Sequence, residues 1–382
     1  MANNNDKKVL NVPALRFPEF ADKWEKGYFK DVCKITTGNK NTQDKDENGL
    51  YPFYVRSQNI ERINSWTFDG EAILTAGDGV GVGKVFHYSI GKIGVHQRVY
   101  ILSNFKCDGK YLYQYFSSRF YNRVKRMSAK NSVDSVRMEM IADMPLYLPS
   151  VGEQHKIGKL LALLDERIST QNKIIEKLQS LIKGLSQQLL SSENDWILYR
   201  LDDLAQIKSG YSGTQVSYQT PYKVSRIETI SKHCIDIQRI GYVECIPESY
   251  RLNVGNILFS NINSIQYIGN TAYLDKDYGL YHGMNLLRII PNTTIVRPRF
   301  LHLLLCTDWA INHFQTICNK AVSQASINQT ALGKSRFPIP PMSVQQQICS
   351  MFELTERKLD NEQEYISCLQ QQKRYLLQKM FI

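Results

Sequence analysis

The stretch Gly77-Asp78-Gly79-Val80-Gly81-Val82-Gly83-Lys84 could pass for a phosphate-binding loop, because glycine-rich turns ending in lysine can cradle phosphates. A Walker-type loop also requires glycine five positions before its Gly-Lys pair and a hydroxyl after it, and those positions hold Asp78 and Val85. Residues 85–102 read as strands, so no strand-turn-helix context follows. The segment is expected to form a tight β-turn, with Lys84 available to a phosphate. Other catalytic signatures are missing. The Pro340-Pro341 pair stands between Ile339 and Met342 and makes no amino-methyltransferase motif, and no Pro-Asp pair starts a nuclease carboxylate set. The seven histidines lack the i, i+4 spacing of a metal-binding helix, and the eight cysteines form no C-x-x-C pair. Neither catalytic residues nor metal ligands are expected.

The chain does carry polar and basic loop clusters, in two sets. The first comprises Thr36, Gly38 and Lys40; Arg56, Ser57 and Gln58; Lys84; His96, Gln97 and Arg98; and Arg123, Lys125, Arg126, Lys130 and Asn131. The second comprises Lys208, Ser209 and Tyr211; Ser225 and Arg226; Asn261 and Asn263; His282; and Lys320, Ser323, Gln324 and Ser326. Arginine, lysine, asparagine, glutamine and serine are the side chains that hold phosphates and read base edges. One such cluster is ordinarily a solvated loop. Two sets, on a chain with a formal net charge of +11 shared by both halves, point toward nucleic acid, double-stranded DNA being the form whose major groove such side chains read.

These clusters must be positioned by a repeated scaffold, and the repeat is visible by eye. Trp24…Phe29-x-Asp31-Val32-x-Lys34-Ile35-x-x-Gly38 recurs as Trp196…Leu201-x-Asp203-Leu204-x-Gln206-Ile207-x-x-Gly210. Further on, Pro52-x-x-Val55 matches Pro221-x-x-Val224, Ile73-Leu74 matches Ile257-Leu258, and His96 matches His282. Each copy closes on a proline-bounded strand, residues 146–149 and 337–340. A period this long implies two copies of a whole domain. Within each copy, short alternating strands and one helix, residues 110–127 or 299–317, predict an α+β unit.

After each closing strand the pattern becomes a heptad seam. The first seam runs through Ile157, Leu161, Leu164, Ile168, Gln171, Ile175, Leu178, Ile182, Leu185 and Leu189, on a helix of about 39 residues and roughly 58 Å. The second runs through Ile348, Phe352, Thr355, Leu359, Glu362, Ile366, Leu369, Lys373, Leu376 and Met380. Each helix exposes an apolar stripe that the other can cover, and antiparallel pairing would bring Gln171 near Glu362. The predicted fold is therefore α+β: two repeated globular domains separated by two long helices that pair as an antiparallel coiled coil. The boundaries are 1–150 for the first domain, with an N-terminal extension 1–23; 151–192 for the central helix; 193–341 for the second domain; and 342–382 for the C-terminal helix. The opening MANNNDKKVLNV lacks the apolar stretch of a signal peptide and no run approaches membrane-spanning length, so a cytoplasmic protein without membrane contact is expected.

The sequence resembles the specificity subunits of type I restriction-modification enzymes. Val12-Pro13-Ala14-Leu15-Arg16-Phe17-Pro18-Glu19-Phe20 with Trp24 is similar to their N-terminal signature, and residues 24–38 and 196–210 to the opening of each target recognition domain. Glu153-Gln154-x-Lys156-Ile157 resembles the start of their conserved helix and residues 373–381 its C-terminal end. Val344-Gln345-Gln346-Gln347-Ile348 departs from that pattern in lacking the acidic residue and the lysine. The resemblance implies a subunit without catalysis of its own, active in phage defence. Each domain would read one half of a split, asymmetric DNA site, and the paired helices would act as a ruler. Two methylation subunits carrying S-adenosylmethionine would dock on the helices and methylate adenine, and restriction subunits using ATP and Mg would join them; no cofactor would be bound by this chain. Two other readings remain, a stand-alone DNA-modifying enzyme and a coiled-coil scaffold. Methyl transfer by the purified chain alone would mark the first, and salt-insensitive behaviour toward DNA the second.

Overall fold

The structure is a computed structural model, and it describes residues 12–127, 135–191, 196–231, 233–320 and 324–382. It divides into two units, Met1–Lys173 with Gln363–Ile382, and Ile174–Glu362.

In the first unit, strand β1 (Glu25–Tyr28) and the single turn α1 (Phe29–Val32) lead into β2 (Lys34–Thr37), β3 (Tyr51–Tyr54), β4 (Ile60–Ile63), β5 (Phe68–Ala76), β6 (Phe86–Val95) and β7 (Val99–Ser103). Helices α2 (Gly109–Met127) and α3 (Met138–Ala142), strand β8 (Pro145–Leu148) and the long helix α4 (Val151–Leu189) follow. A six-stranded sheet has the order β2-β7-β5-β6-β3-β4, and only β3 and β6 pair in parallel. Strand β5 is buried on both faces at its C-terminal end. Ile73 packs with Phe116, Phe120 and Tyr111 of α2, while Ala72 and Leu74, one residue either side, pack with Val95 and Ile101 on the opposite face.

In the second unit the order is β9 (Ile197–Arg200), α5 (Leu201–Leu204), β10 (Ala205–Ser209), β11 (Gln215–Val216), β12 (Tyr222–Val224), β13 (Gly241–Val243), β14 (Ile257–Ser260), β15 (Ile262–Asn263), β16 (Thr271–Tyr273), β17 (Leu280–Tyr281) and β18 (Leu286–Pro291). It continues through α6 (Pro298–Leu305), α7 (Asp308–Ile317), β19 (Asn319–Lys320), β20 (Ala325–Ser326), α8 (Gln329–Gly333), β21 (Arg336–Ile339) and α9 (Met342–Lys379). The helix expected over residues 299–317 is two helices. The chain turns at Cys306-Thr307, where the Thr307 hydroxyl accepts from Ala310 N and caps α7.

The strand register reproduces the sequence repeat. Ile35 and Ile73 both lie opposite Leu102, and Ile207 and Ile257 both lie opposite Ile289. The closing strands agree as well: Glu25 faces Leu148 and Ile197 faces Ile339. The repeated aspartates have one job. Asp31 accepts from Tyr28 N and Asp203 from Arg200 N, each holding the turn that follows its first strand.

Every described seam position of α4 and α9 is buried or half-buried. In the first unit Ile157 and Leu161 of α4 share a core with Leu376 and Met380 of α9, and Lys373 pairs with Asp165. In the second, Ile182, Leu185 and Leu189 share a core with Ile348 and Phe352. Rising numbers on α4 meet falling numbers on α9 within each unit, which is antiparallel packing.

Each long helix is also clamped to its own domain by a buried glutamine. Gln154 Nε2 donates to the Pro149 carbonyl and its Oε1 accepts from Asp108 N; Gln345 Nε2 donates to the Pro340 and Ile295 carbonyls and its Oε1 accepts from Arg297 N. The departure seen at 344–348 has a cause in the first unit. Fully buried Glu153 accepts two bonds of 2.7 Å from Arg16 of the N-terminal extension, and Lys156 pairs with Glu19 and lies over the rings of Phe17 and Phe20. The helix α9 has no such extension preceding its domain.

Candidate nucleic-acid interface

In the first unit, the loops around the C-terminal ends of β2, β3, β5 and β6 converge. Asn41, Thr42, Gln43, Arg56, Asp78, His96, Gln97 and Arg98 line a cavity of about 520 Å³. Lys40 bridges to His96, and Gln97 N donates to the Lys40 carbonyl. Asp78 stands between two arginines: its Oδ1 accepts from Arg56 Nη1 at 2.9 Å and its Oδ2 lies 3.6 Å from Arg98 Nε. Four residues expected from their type thus line one hollow, Arg56, His96, Gln97 and Arg98, and Lys40 adjoins it through its bridge to His96. His96 is buried; its Nδ1 accepts from Arg98 N at 3.0 Å, and burial, then the Arg56 charge, holds its pKa below the ordinary value.

The glycine-rich segment is a turn, with Gly79 and Gly83 at positive φ (79° and 65°). Gly77 N donates to the Arg98 carbonyl and the Gly77 carbonyl accepts from Val136 N. Lys84 is exposed, and its Nζ lies over the Tyr121 ring, 5.4 Å from the centroid. Gly38 has no room for a side chain, because a Cβ would stand 2.1 Å from the Val95 carbonyl oxygen. Thr36 is half-buried on β2, while Ser57 and Gln58 are exposed after β3.

The second unit assembles its residues at the corresponding strand ends. Tyr211 N donates to the His282 carbonyl, and Ser225 is fully buried with its Oγ accepting from Gly283 N. Arg226 is exposed beside Glu228 at 3.4 Å. Strands β15, β20 and β19 form a small sheet in which Ile262 pairs with Ser326, Asn263 with Ala325, and Lys320 with Ala325. This sheet gathers Asn261, Asn263, Lys320, Gln324 and Ser326. Lys208 and Ser209 are exposed on β10. The two sites share their backbone plan: Asp78 bridges to Ser135 and Gly77 accepts from Val136, as Ile262 pairs with Ser326 and Asn261 accepts from Ile327.

Several expectations change. Three residues proposed for DNA, Lys130, Asn131 and Ser323, lie outside the described residues. Arg123 is committed inside the fold, its Nε donating to the Met140 carbonyl at 2.8 Å and its Nη2 to the Asp143 carbonyl at 2.9 Å; Lys125 and Arg126 remain exposed. Ser225 and His282 are buried, and His282 Nε2 donates to the Leu286 carbonyl at 2.9 Å. Burial pushes the His282 pKa down to about 4. Register also separates the two matched histidines. Tyr100 faces Thr37 and Leu287 faces Ser209, which makes Gly283 the counterpart of His96, because the β17–β18 connection is one residue longer than β6–β7. Asn41, Thr42, Gln43 and Asp78 were not foreseen; the first three continue a polar run after β2, a pattern too common to stand out. Among the described residues, no three His, Cys, Asp or Glu side chains could hold one metal ion, and no helix is long and apolar enough to cross a membrane.

With this geometry in view, comparison with known proteins gives one result. The model of the type I restriction modification DNA specificity domain matches residues 21–180 and again 193–371. A Methanocaldococcus jannaschii protein described as a specificity subunit of the type I restriction enzyme MjaX is 38% identical over 193 residues, 49% of this chain and 45% of its own length. The EcoDI specificity subunit of Escherichia coli is 23% identical over 371 residues, 85% of this chain and 79% of its own. The crystal structure of the type I restriction-modification S subunit from M. genitalium shares the fold, with a TM-score of 0.68 at 16% identity over 97% of this chain and 99% of that one. The chain therefore belongs to the type I restriction modification DNA specificity family. With two copies of the domain, it is a DNA sequence-specificity subunit.

Proposed function

We propose that each unit reads one half of a bipartite, asymmetric DNA site, through the convergent loops of the first and the β15-β20-β19 sheet with its neighbouring loops in the second. The observation that carries this is the placement of two different polar sets on one backbone plan: equal frames dock alike, and unequal side chains read different bases. The domains are 1–150 and 193–341, and the helices 151–192 and 342–382 fix the gap between half-sites. This chain supplies recognition. Two methylation subunits bearing S-adenosylmethionine and methylating adenine would dock on the helices, and restriction subunits using ATP and Mg would join to cleave unmodified DNA, as in phage defence. Antiparallel packing of α4 against α9 within each unit supports the ruler, since it stiffens both helices.

The test is to map methylated adenines in cells carrying this chain and its methylation subunits, then to exchange residues 1–150 for the first domain of another family member. One half of the methylated sequence should change and the other stay. A simultaneous change in both halves would refute independent reading.

A further inference from the structure

Arg98 lies in the three-residue connection between β6 and β7, and its backbone is fixed from both sides. Its N–H donates to His96 Nδ1 at 3.0 Å and its carbonyl accepts from Gly77 N at 2.8 Å. Gly77 permits that approach, since a Cβ there would stand 3.0 Å from the Arg98 oxygen. The side chain is 65% exposed, yet its Nε rests against Asp78 Oδ2 at 3.6 Å, and Asp78 is itself held by Arg56 at 2.9 Å. With its Nε edge turned to the Asp78 carboxylate in an ion pair, the guanidinium leaves Nη1 and Nη2 as a parallel pair of donors on its other edge.

Two ligand groups on DNA suit such a pair, a phosphate and the major-groove edge of guanine. The Asp78 carboxylate bears on the choice: it offsets one of the two arginine charges beside it, so the cluster draws a phosphate less than Arg56 and Arg98 alone would, whereas the guanine edge is neutral and offers two acceptors, N7 and O6, spaced for the fork. Adenine presents a donor beside its acceptor and cannot satisfy both arms. Bracing also reduces the rotamer freedom that binding would otherwise remove. The second unit is an internal comparison. Its register makes Ile262 the counterpart of Asp78 and Asn285 the counterpart of Arg98, so the braced pair is absent at that place.

Resting on the reading of each unit as a half-site reader, we infer that Arg98, braced by Asp78, recognises a guanine in the major groove of the half-site bound by the first unit. The experiment presents a pool of randomised duplexes to the complex of the full chain with its methylation subunits and sequences those retained. The wild type should retain a two-part motif with a required guanine in one half. Arg98→Lys keeps the charge but loses the fork, and should reduce the preference for that guanine on the order of tenfold while leaving the other half-site unchanged. Asp78→Asn, which keeps the polar contact but removes the charge, should weaken the same preference and no other. Both positions are surface-exposed or partly so, and an unchanged melting temperature checks the fold of each variant. An unaltered motif with Arg98→Lys overturns the inference, as does a uniform loss of affinity without change of motif, which would mark a phosphate contact. A wild-type complex that retains no motif would overturn the half-site reading beneath it.

Discussion

At the scale of single residues, burial separates side chains that type alone makes equal. Arg123, Lys125 and Arg126 form one basic run, but only the last two are exposed, with Arg123 holding two carbonyls of the segment that leads into β8. Lys125→Ala with Arg126→Ala should weaken binding to all duplexes alike and flatten its salt dependence, whereas Arg123→Ala should lower the melting temperature; titrations at several salt concentrations and thermal unfolding check the two. His282 makes a different prediction. Its pKa falls from the ordinary 6.5 to about 4 in the fold, so the unfolded chain takes up a proton before the folded one does. Stability is therefore full above about pH 6.5 and declines toward pH 4, by up to about 1.4 kcal/mol per pH unit for this group. Denaturant unfolding at descending pH should show a shallower decline in His282→Asn than in the wild type. These distinctions were not legible in the sequence, because whether a polar side chain stays free depends on which other segment of the fold meets it, as Met140 and Asp143 meet Arg123.

At the scale of elements much more was legible. Heptads, closing strands and the paired Ile-Leu positions were readable since each is a periodic demand of a core, and the register confirms Ile73 with Ile257 as equivalents. The break at Cys306-Thr307 escaped, because the apolar pattern runs through it and the cap is one hydroxyl. The extension before β1 was readable as a motif but not as a contact. Arg16→Ala should leave the fully buried Glu153 without its partner and cost about 3–5 kcal/mol, measured by denaturant unfolding. Replacing both, Arg16→Met with Glu153→Leu, should restore most of that loss. Equal losses in the single and double variants would mean that packing of the extension, and not its charge pair, holds the start of α4.

For the whole molecule, the spacing role proposed for the long helices makes a prediction about length. The helix α4 is continuous over 39 residues, its N-terminal part belonging to the first unit and its C-terminal part to the second, and α9 is continuous over 38. Seven residues added to each at matched heights keep the seam facing inward and lengthen each by roughly 10 Å. Since DNA rises about 3.4 Å per base pair, the gap between half-sites should grow by about two or three pairs. Those pairs also rotate the second groove by nearly a third of a turn, which a heptad does not match, so affinity should fall while both half-site sequences persist. Selection of duplexes with randomised spacing by the extended chain in its complex reads out both effects. Retention of the original gap would show that the helices do not set the distance. A gap lengthened with neither half-site altered would show that distance and sequence are read by different parts of the chain, the first by α4 and α9 and the second by the loops at the strand ends.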